Sequence, residues 1–175
     1  MTVQIGLTNP KSPSNIGAVM RAAGCYQADA VFYSGERAVR AMKYHTDTQN
    51  VAASIPLRHE ADLLSAIPAD AKLVCVELVE GATPLPHFDH PEHAFYLFGP
   101  EDGSLSQAVI DRADAVVYIP TVGCMNLAAT VNVLLYDRLA KGHGQVQAGD
   151  ALIRQSRDTN NRARVPASAD PAQIG

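Results

Sequence analysis

Five short runs rich in Val, Ile, Leu, Phe and Tyr alternate along this chain with stretches of helical spacing. They are 3–7 (VQIGL), 30–34 (AVFYS), 72–78 (KLVCVEL), 94–98 (AFYLF) and 115–119 (AVVYI). A strand that is apolar on both faces needs cover on both sides, which a parallel sheet flanked by helices supplies. Helical patterns lie between the runs, at about 15–27, 59–67, 105–113 and 126–141. In the last of these Leu127, Val131, Leu134, Leu135 and Leu139 form one apolar stripe, and Arg138 and Lys141 sit at the end that favours positive charge. The expected fold class is α/β with a mostly parallel sheet.

At 175 residues the chain has room for one domain with a real core, and 47% apolar against 18% charged residues is ordinary globular composition. No stretch reaches the roughly 20 uninterrupted apolar residues of a membrane span. The opening MTVQIGLTNPK lacks the basic and apolar regions of an export signal, so a cytoplasmic protein with reduced thiols is expected. Cys25, Cys75 and Cys124 are far apart and contain no CxxC pair, which favours neither a disulfide framework nor a zinc ribbon. The formal net charge of −4 excludes a strongly basic nucleic-acid coat, although not a local basic patch. Residues 1–142 are expected to form the folded domain and 143–175 a tail. Arg154, Arg157, Arg162 and Arg164 make that tail basic before its last ten residues, where disorder is expected. A solvated terminal helix and a nucleic-acid contact both accommodate the arginines.

In an open α/β sheet, ligands bind beyond the carboxyl ends of the strands. The loop after the first strand, TNPKSPSN, is neither GxGxxG nor a P-loop, which argues against a dinucleotide enzyme and an NTPase. Three other segments stand out. Asn15 follows Pro13-Ser14 as a helix N-cap, and Arg21 leans back over Gly17 toward it, which puts a guanidinium and an amide at a helix mouth suited to a phosphate or hydroxyl. The segment from Phe98 to Leu105 follows a strand directly. Its Gly and Pro residues shape a turn open to a ligand, and Glu101 and Asp102 supply charge; a connecting turn capped by Ser104 fits as well. The segment from Ile119 to Leu127 runs from a strand end into the long helix and offers backbone donors and acceptors to a cofactor. Cys124 within it reads as a buried or cleft-lining thiol, because no histidine partner for a nucleophile can be identified.

The three segments read NIGAVMR, FGPEDGSL and IPTVGCMNL, and in this order they resemble the three motifs of the SpoU/TrmH branch of the SPOUT RNA methyltransferases. The resemblance covers about residues 3–141. The short chain and the Cys-Met-Asn-Leu run also resemble the TrmL-type tRNA wobble enzymes. What the resemblance implies is 2′-O-methylation of a ribose in tRNA or rRNA with S-adenosylmethionine as donor. It also implies a SPOUT methyltransferase domain over 1–142 with a C-terminal trefoil knot, and a homodimer whose active site is shared between subunits. Neither metal nor membrane is implied.

Carried over by motif, Asn15, Arg21, Glu101 and Asn126 are the catalytic residues. The cofactor is then expected against Glu77 and Leu78, Gly99, Ile119 and Pro120, and Cys124, Met125 and Leu127. Arg21 fits the role of a clamp on the phosphate beside the reacting hydroxyl, because a guanidinium does not give up its proton. Many family members carry Ser at the position of Cys124, and a thiol is the weaker hydrogen-bonding group.

Two other readings start from different residues. A non-catalytic RNA-binding protein with the same fold is compatible with Cys124. A metal enzyme would use His87, His90 and His93 with Asp89 and Glu92, but Pro91 interrupts that run, and a solvated polar loop is expected instead. The polar segment from His45 to Asn50 suits an RNA contact or a plain surface loop equally.

Overall fold

The apolar runs pair into one parallel sheet. The structure, a computed structural model, describes residues 1–42, 55–142 and 148–165. The strands are β1 (Thr2–Leu7), β2 (Ala30–Tyr33), β3 (Leu57–His59), β4 (Lys72–Val76), β5 (Thr83–Pro84), β6 (His93–Phe98) and β7 (Ala115–Tyr118). Their spatial order is β3-β2-β1-β6-β4-β7-β5, and every pairing is parallel. The helices are α1 (Pro13–Cys25), α2 (Glu36–Met42), α3 (Gln107–Ile110), α4 (Leu127–Ala140) and α5 (Asp150–Ser156). Strand β6 enters between β1 and β4, and β7 between β4 and β5. Because all strands run one way, the carboxyl ends of β1, β4, β6 and β7 share one edge of the sheet. The chain divides into two compact units, Met1–Gly144 and Gln145–Gly175, and the whole sheet lies in the first.

Strand alternation splits the core into two layers. On one face Val3, Ile5, Leu7, Val74, Tyr96 and Val117 pack with Ile16, Val19 and Met20 of α1 and Val131, Leu134 and Leu135 of α4. On the other, Phe32, Leu73, Cys75, Phe95 and Leu97 meet Leu63 and Leu105. The predicted stripe on α4 is therefore buried from Leu127 to Leu135, with Leu139 half-buried, and each fully buried Leu contributes about 1.5–3 kcal/mol by leaving water. Gly6 of β1 marks a close approach, since a Cβ there would meet the Phe95 ring at 2.5 Å.

Several expectations need correction. The stretch 59–67 is not an α-helix: β3 ends within it at His59, and a 3-10 turn, Leu63–Ala66, follows with Asp62 accepting from the Leu64 amide at 3.0 Å. The helix expected at 105–113 shortens to the 4 residues of α3. Helix α2, in ERAVRAM, was not expected. The HFDHPEH loop is exposed at His87, Asp89 and Glu92, as a solvated polar loop would be, but it is also anchored, because His90 is buried between Tyr96 and Asp137. Arg138 and Lys141 do more than complement a helix dipole. Arg138 is buried and donates to the carbonyls of Pro91 and Glu92 at 2.6 and 2.9 Å, and Lys141 donates to those of Leu85 and Phe88 at 2.6 and 3.0 Å. The segment His45–Asn50 and the last ten residues lie outside the described residues.

Candidate active site

Three strand ends and two helix starts enclose a cavity of about 410 Å³. Its walls come from Val76, Glu77 and Leu78 after β4, Phe98 to Glu101 and Gly103 after β6, and Tyr118, Ile119 and Thr121 after β7. Cys124 to Leu127 and Thr130 close it at the start of α4, and Asn15 of α1 completes the rim. The size suits a small-molecule ligand, whose sites span roughly 300–1,000 Å³. The position is the one that a parallel sheet favours, beyond the carboxyl ends of its strands.

Three expected catalytic residues meet at the rim. Helix α1 begins at Pro13, whose fixed φ suits the first helical position, and its N-cap is Ser12. Asn15 is therefore not the N-cap that the sequence suggested. It sits inside the first turn, and its side chain is available for other partners. Its Nδ2 donates to Glu101 Oε1 at 2.6 Å, and its Oδ1 accepts from Asn126 Nδ2 at 3.1 Å. Asn126 is itself the cap of α4, with Oδ1 accepting from the amides of Ala128 and Ala129 at 2.9 and 3.4 Å. Glu101 Oε2 accepts from the Lys11 amide at 2.5 Å. One carboxylate and two amides thus tie together the loops after β1 and β6 and the start of α4.

Of the expected cofactor residues, Glu77, Leu78, Gly99, Ile119, Cys124, Met125 and Leu127 line the cavity; Pro120 does not, and is exposed. Glu77 works as an internal brace: its Oε2 accepts from the Leu105 amide at 2.9 Å and its Oε1 from the Leu78 amide at 3.0 Å. Gly99 makes room for that brace, because a Cβ at this position would meet Glu77 Oε2 at 2.5 Å. Cys124 is exposed on the cavity wall, and no histidine lines the cavity, so the thiol has no imidazole partner there. Cys75 is buried beneath the site, and burial, followed by the Glu77 carboxylate, pushes its thiol up to about 12.

Arg21 stands apart. It is exposed on α1, does not line the cavity, and makes no hydrogen bond or ion pair among the described residues. It lies six positions after Asn15, which places the two side chains about 120° apart around the helix. A Cβ at Gly17 would meet nothing within 4 Å, so the space beside it faces away from this chain's own packing. In the second unit Arg154, Arg162 and Arg164 are exposed and Arg157 is half-exposed. Among the described residues no group of three His, Cys, Asp or Glu side chains could hold a metal ion. His93 bonds to Thr2 Oγ1 at 2.9 Å.

Sequence reasoning missed Tyr118, Thr121 and Thr130 on the cavity wall, and it missed what holds the loop after β6 in place. Arg37 of α2 bonds both oxygens of Asp102 at 2.9 and 2.8 Å and holds that carboxyl below its ordinary value. The two lie 65 residues apart, and no local pattern announces such a contact.

Residues 2–136 match the sequence model of the SpoU rRNA Methylase family. An uncharacterized tRNA/rRNA methyltransferase of Mycolicibacterium vanbaalenii is 30% identical over 139 residues, which are 75% of this chain and 44% of the relative. The chain thus spans less than half the length of the curated relatives it matches. The SpoU methyltransferase AviRb from Streptomyces viridochromogenes, solved in complex with the cofactor AdoMet, superposes with a TM-score of 0.66 at 22% identity, covering 80% of this chain and 57% of that one. A structure described as giving insights into the 2-OH methylation of C/U34 on tRNA superposes with a TM-score of 0.68 at 24% identity, covering 82% and 92%. At these identities the superpositions speak for the fold, and the match over residues 2–136 for the lineage: the chain belongs to the SpoU rRNA methylase family.

Proposed function

We propose that the protein is an S-adenosylmethionine-dependent methyltransferase that modifies a ribose 2′-hydroxyl of tRNA or rRNA. The observation that carries this reading is the joining of Asn15, Glu101 and Asn126 by hydrogen bonds at the rim of the strand-end cavity. The AdoMet complex of AviRb and the tRNA 2-OH methylation described for the second neighbour support it.

The lining fits the cofactor in kind. Leu78, Ile119 and Leu127 offer apolar wall to a heteroaromatic ring, and the loop backbones after β6 and β7 offer hydrogen bonds to its polar groups. When bound, that cofactor supplies a methyl group on a sulfonium centre, which an oxygen nucleophile can take. The chain's own contribution is placement. Both Glu101 oxygens already accept hydrogen bonds, so Glu101 holds Asn15 and the Lys11 backbone in position. Asn15 and Asn126 present amides to the ribose. Arg21 lies outside this constellation, and we assign it to the RNA phosphate of a site completed by the partner subunit of a homodimer. The phosphate it grips either accepts the hydroxyl proton or lowers the cost of losing it. The entry of β6 and β7 between earlier strands supports the trefoil knot of the family, and the four tail arginines suit RNA phosphates. A cytoplasmic site of action accompanies this reading.

Calorimetry tests the cofactor assignment. Wild-type protein should bind S-adenosylmethionine without added metal, and Gly99→Val, which displaces Glu77, should bind it at least about tenfold more weakly. Normal affinity in this variant would remove the cavity from the reading.

A further inference from the structure

The loop that carries Glu101 is held from outside the cavity. Arg37 Nη1 donates to Asp102 Oδ1 and Oδ2 at 2.9 and 2.8 Å, while its Nε and Nη2 donate to the Asn9 carbonyl at 3.2 and 2.5 Å. Asn9 has φ 43°, a left-handed conformation that Asn tolerates, and this turns its carbonyl toward α2. Gly35, at φ 80°, lets the chain pass close to Asn9, because a Cβ there would collide with the Asn9 side chain.

These contacts close a ring. From Arg37 it runs through Asp102 to the adjacent Glu101, across to the Lys11 amide and Asn15, and back along the chain to Asn9 and Arg37. Arg37 does not line the cavity. Its side chain is 34% exposed and that of Asp102 49%, and ion pairs at such exposure add little to stability. A guanidinium that makes four hydrogen bonds to the loops after β1 and β6, both of which carry residues of the cavity rim, is placed to align those loops.

We propose that Arg37 is a positioning residue for methyl transfer, fixing the loops after β1 and β6 so that Glu101 and Asn15 stay aligned with each other. This rests on the reading given under Proposed function. Loss of the clamp frees the Glu101–Asp102 tip of the loop after β6, whereas the walls from β4 and β7 and the Glu77 brace to the Leu105 amide stay in place, so it slows the transfer step without a comparable loss of cofactor affinity. Misplacement of reacting groups by about 1 Å is enough to cost up to roughly a hundredfold in rate.

Arg37→Ala and Asp102→Asn break the ring from its two sides. Both should unfold within about 2 °C of wild type, since the pair is exposed. Single-turnover transfer at saturating RNA and S-adenosylmethionine should fall at least about tenfold, with the dissociation constant for S-adenosylmethionine within about threefold of wild type. Arg37→Lys, which reaches one partner at a time, should recover only part of the rate. The double variant should be no slower than Arg37→Ala alone, because the two residues act as one unit. The Asn15 side-chain amide signals in nitrogen-edited NMR spectra should shift in both single variants. An active wild type whose Arg37→Ala variant keeps its rate, or loses cofactor affinity as much as rate, overturns the positioning role alone. A wild type that transfers no methyl group to RNA overturns the functional reading and this inference with it.

Discussion

Helix α4 carries a polar cluster at each end, and the two are built to opposite rules. At its start Asn126 joins Asn15 and Glu101 through exposed contacts on the cavity rim. Toward its end, buried Arg138 donates to Tyr96 Oη at 3.0 Å, Tyr96 meets His90 Nδ1 at 2.6 Å, and His90 Nε2 meets Asp137 at 2.9 Å. The direction of that chain follows from the acceptor-only carboxylate. A neutral His90 donates from Nε2 to Asp137 and accepts from the Tyr96 hydroxyl, which in turn accepts from Arg138. The buried end fixes the helix against the 85–92 loop, whereas the exposed end stays open to a ligand. Buried polar groups are costly to leave unpaired, so the same kind of bond has a structural consequence at one end and a chemical one at the other.

Substitution at the two ends should separate these consequences. Arg138→Ala takes the donor from the buried Tyr96 hydroxyl and from the part-buried carbonyls of Pro91 and Glu92, and should cost about 3–4 kcal/mol in urea unfolding. Asn126→Ala loses an N-cap and should cost only about 1 kcal/mol, yet abolish methyl transfer. Equal stability losses would erase the distinction between the two ends.

A sharper division concerns Arg21, which belongs to neither cluster. Arg21→Ala should keep fold, dimer and cofactor affinity while losing about a hundredfold in transfer, roughly 2.7 kcal/mol of barrier. Arg21→Lys should also be poor, because an ammonium lacks the planar fork. Mixing Arg21→Ala subunits with Gly99→Val subunits should restore activity, since one site of each mixed dimer then pairs an intact Arg21 with an intact cofactor loop. Heterodimers detected by mass that remain inactive would place Arg21 within its own chain's site.

The buried end should also announce itself in pH. Burial lowers the His90 pKa in the folded protein, with the hydrogen bond to Asp137 opposing it and the Arg138 and Lys141 charges reinforcing it. The unfolded chain, with an ordinary His near pH 6.5, then binds the proton first, so stability is complete above that pH and is lost as pH falls toward the folded value. Unfolding free energies measured from about pH 7.5 down to about pH 5.5 should decline in wild type and decline less in His90→Gln. Parallel curves would remove His90 from the linkage.

The smallest effect is expected in the tail. Replacing Arg154, Arg157, Arg162 and Arg164 together by Ala should weaken RNA binding and flatten its dependence on salt, with cofactor affinity unchanged. An unaltered slope would return these residues to a solvated surface.

The legible parts of the molecule were those with a local signal. The strands β1, β2, β4, β6 and β7 stood out because both of their faces are apolar, and α4 because its stripe keeps helical period. Strand β3 has 3 residues and β5 has 2, too short for any period to register. Helix α1 was found but its start was misplaced, because Pro13 as first helical residue moves the cap back to Ser12. The site was legible through its motifs, which put Asn15, Glu101 and Asn126 in one constellation. Their bonds span 86 and 111 residues, and so do not arise from any pattern along the chain. Arg37, Tyr118 and the burial of His90 were illegible for the same reason: each depends on which strand lies next to which.

The measurement closest to the central claim is the chemical identity of the methylated product. Wild-type protein is incubated with unmodified tRNA or rRNA transcripts and S-adenosylmethionine labelled in its methyl group, and the RNA is digested to nucleosides for mass spectrometry. The label should appear in a 2′-O-methylated nucleoside, and its amount should fall sharply in the Asn126→Ala and Arg21→Ala proteins. Label on a base, or none on any RNA despite saturable cofactor binding, would contradict a ribose 2′-O-methyltransferase.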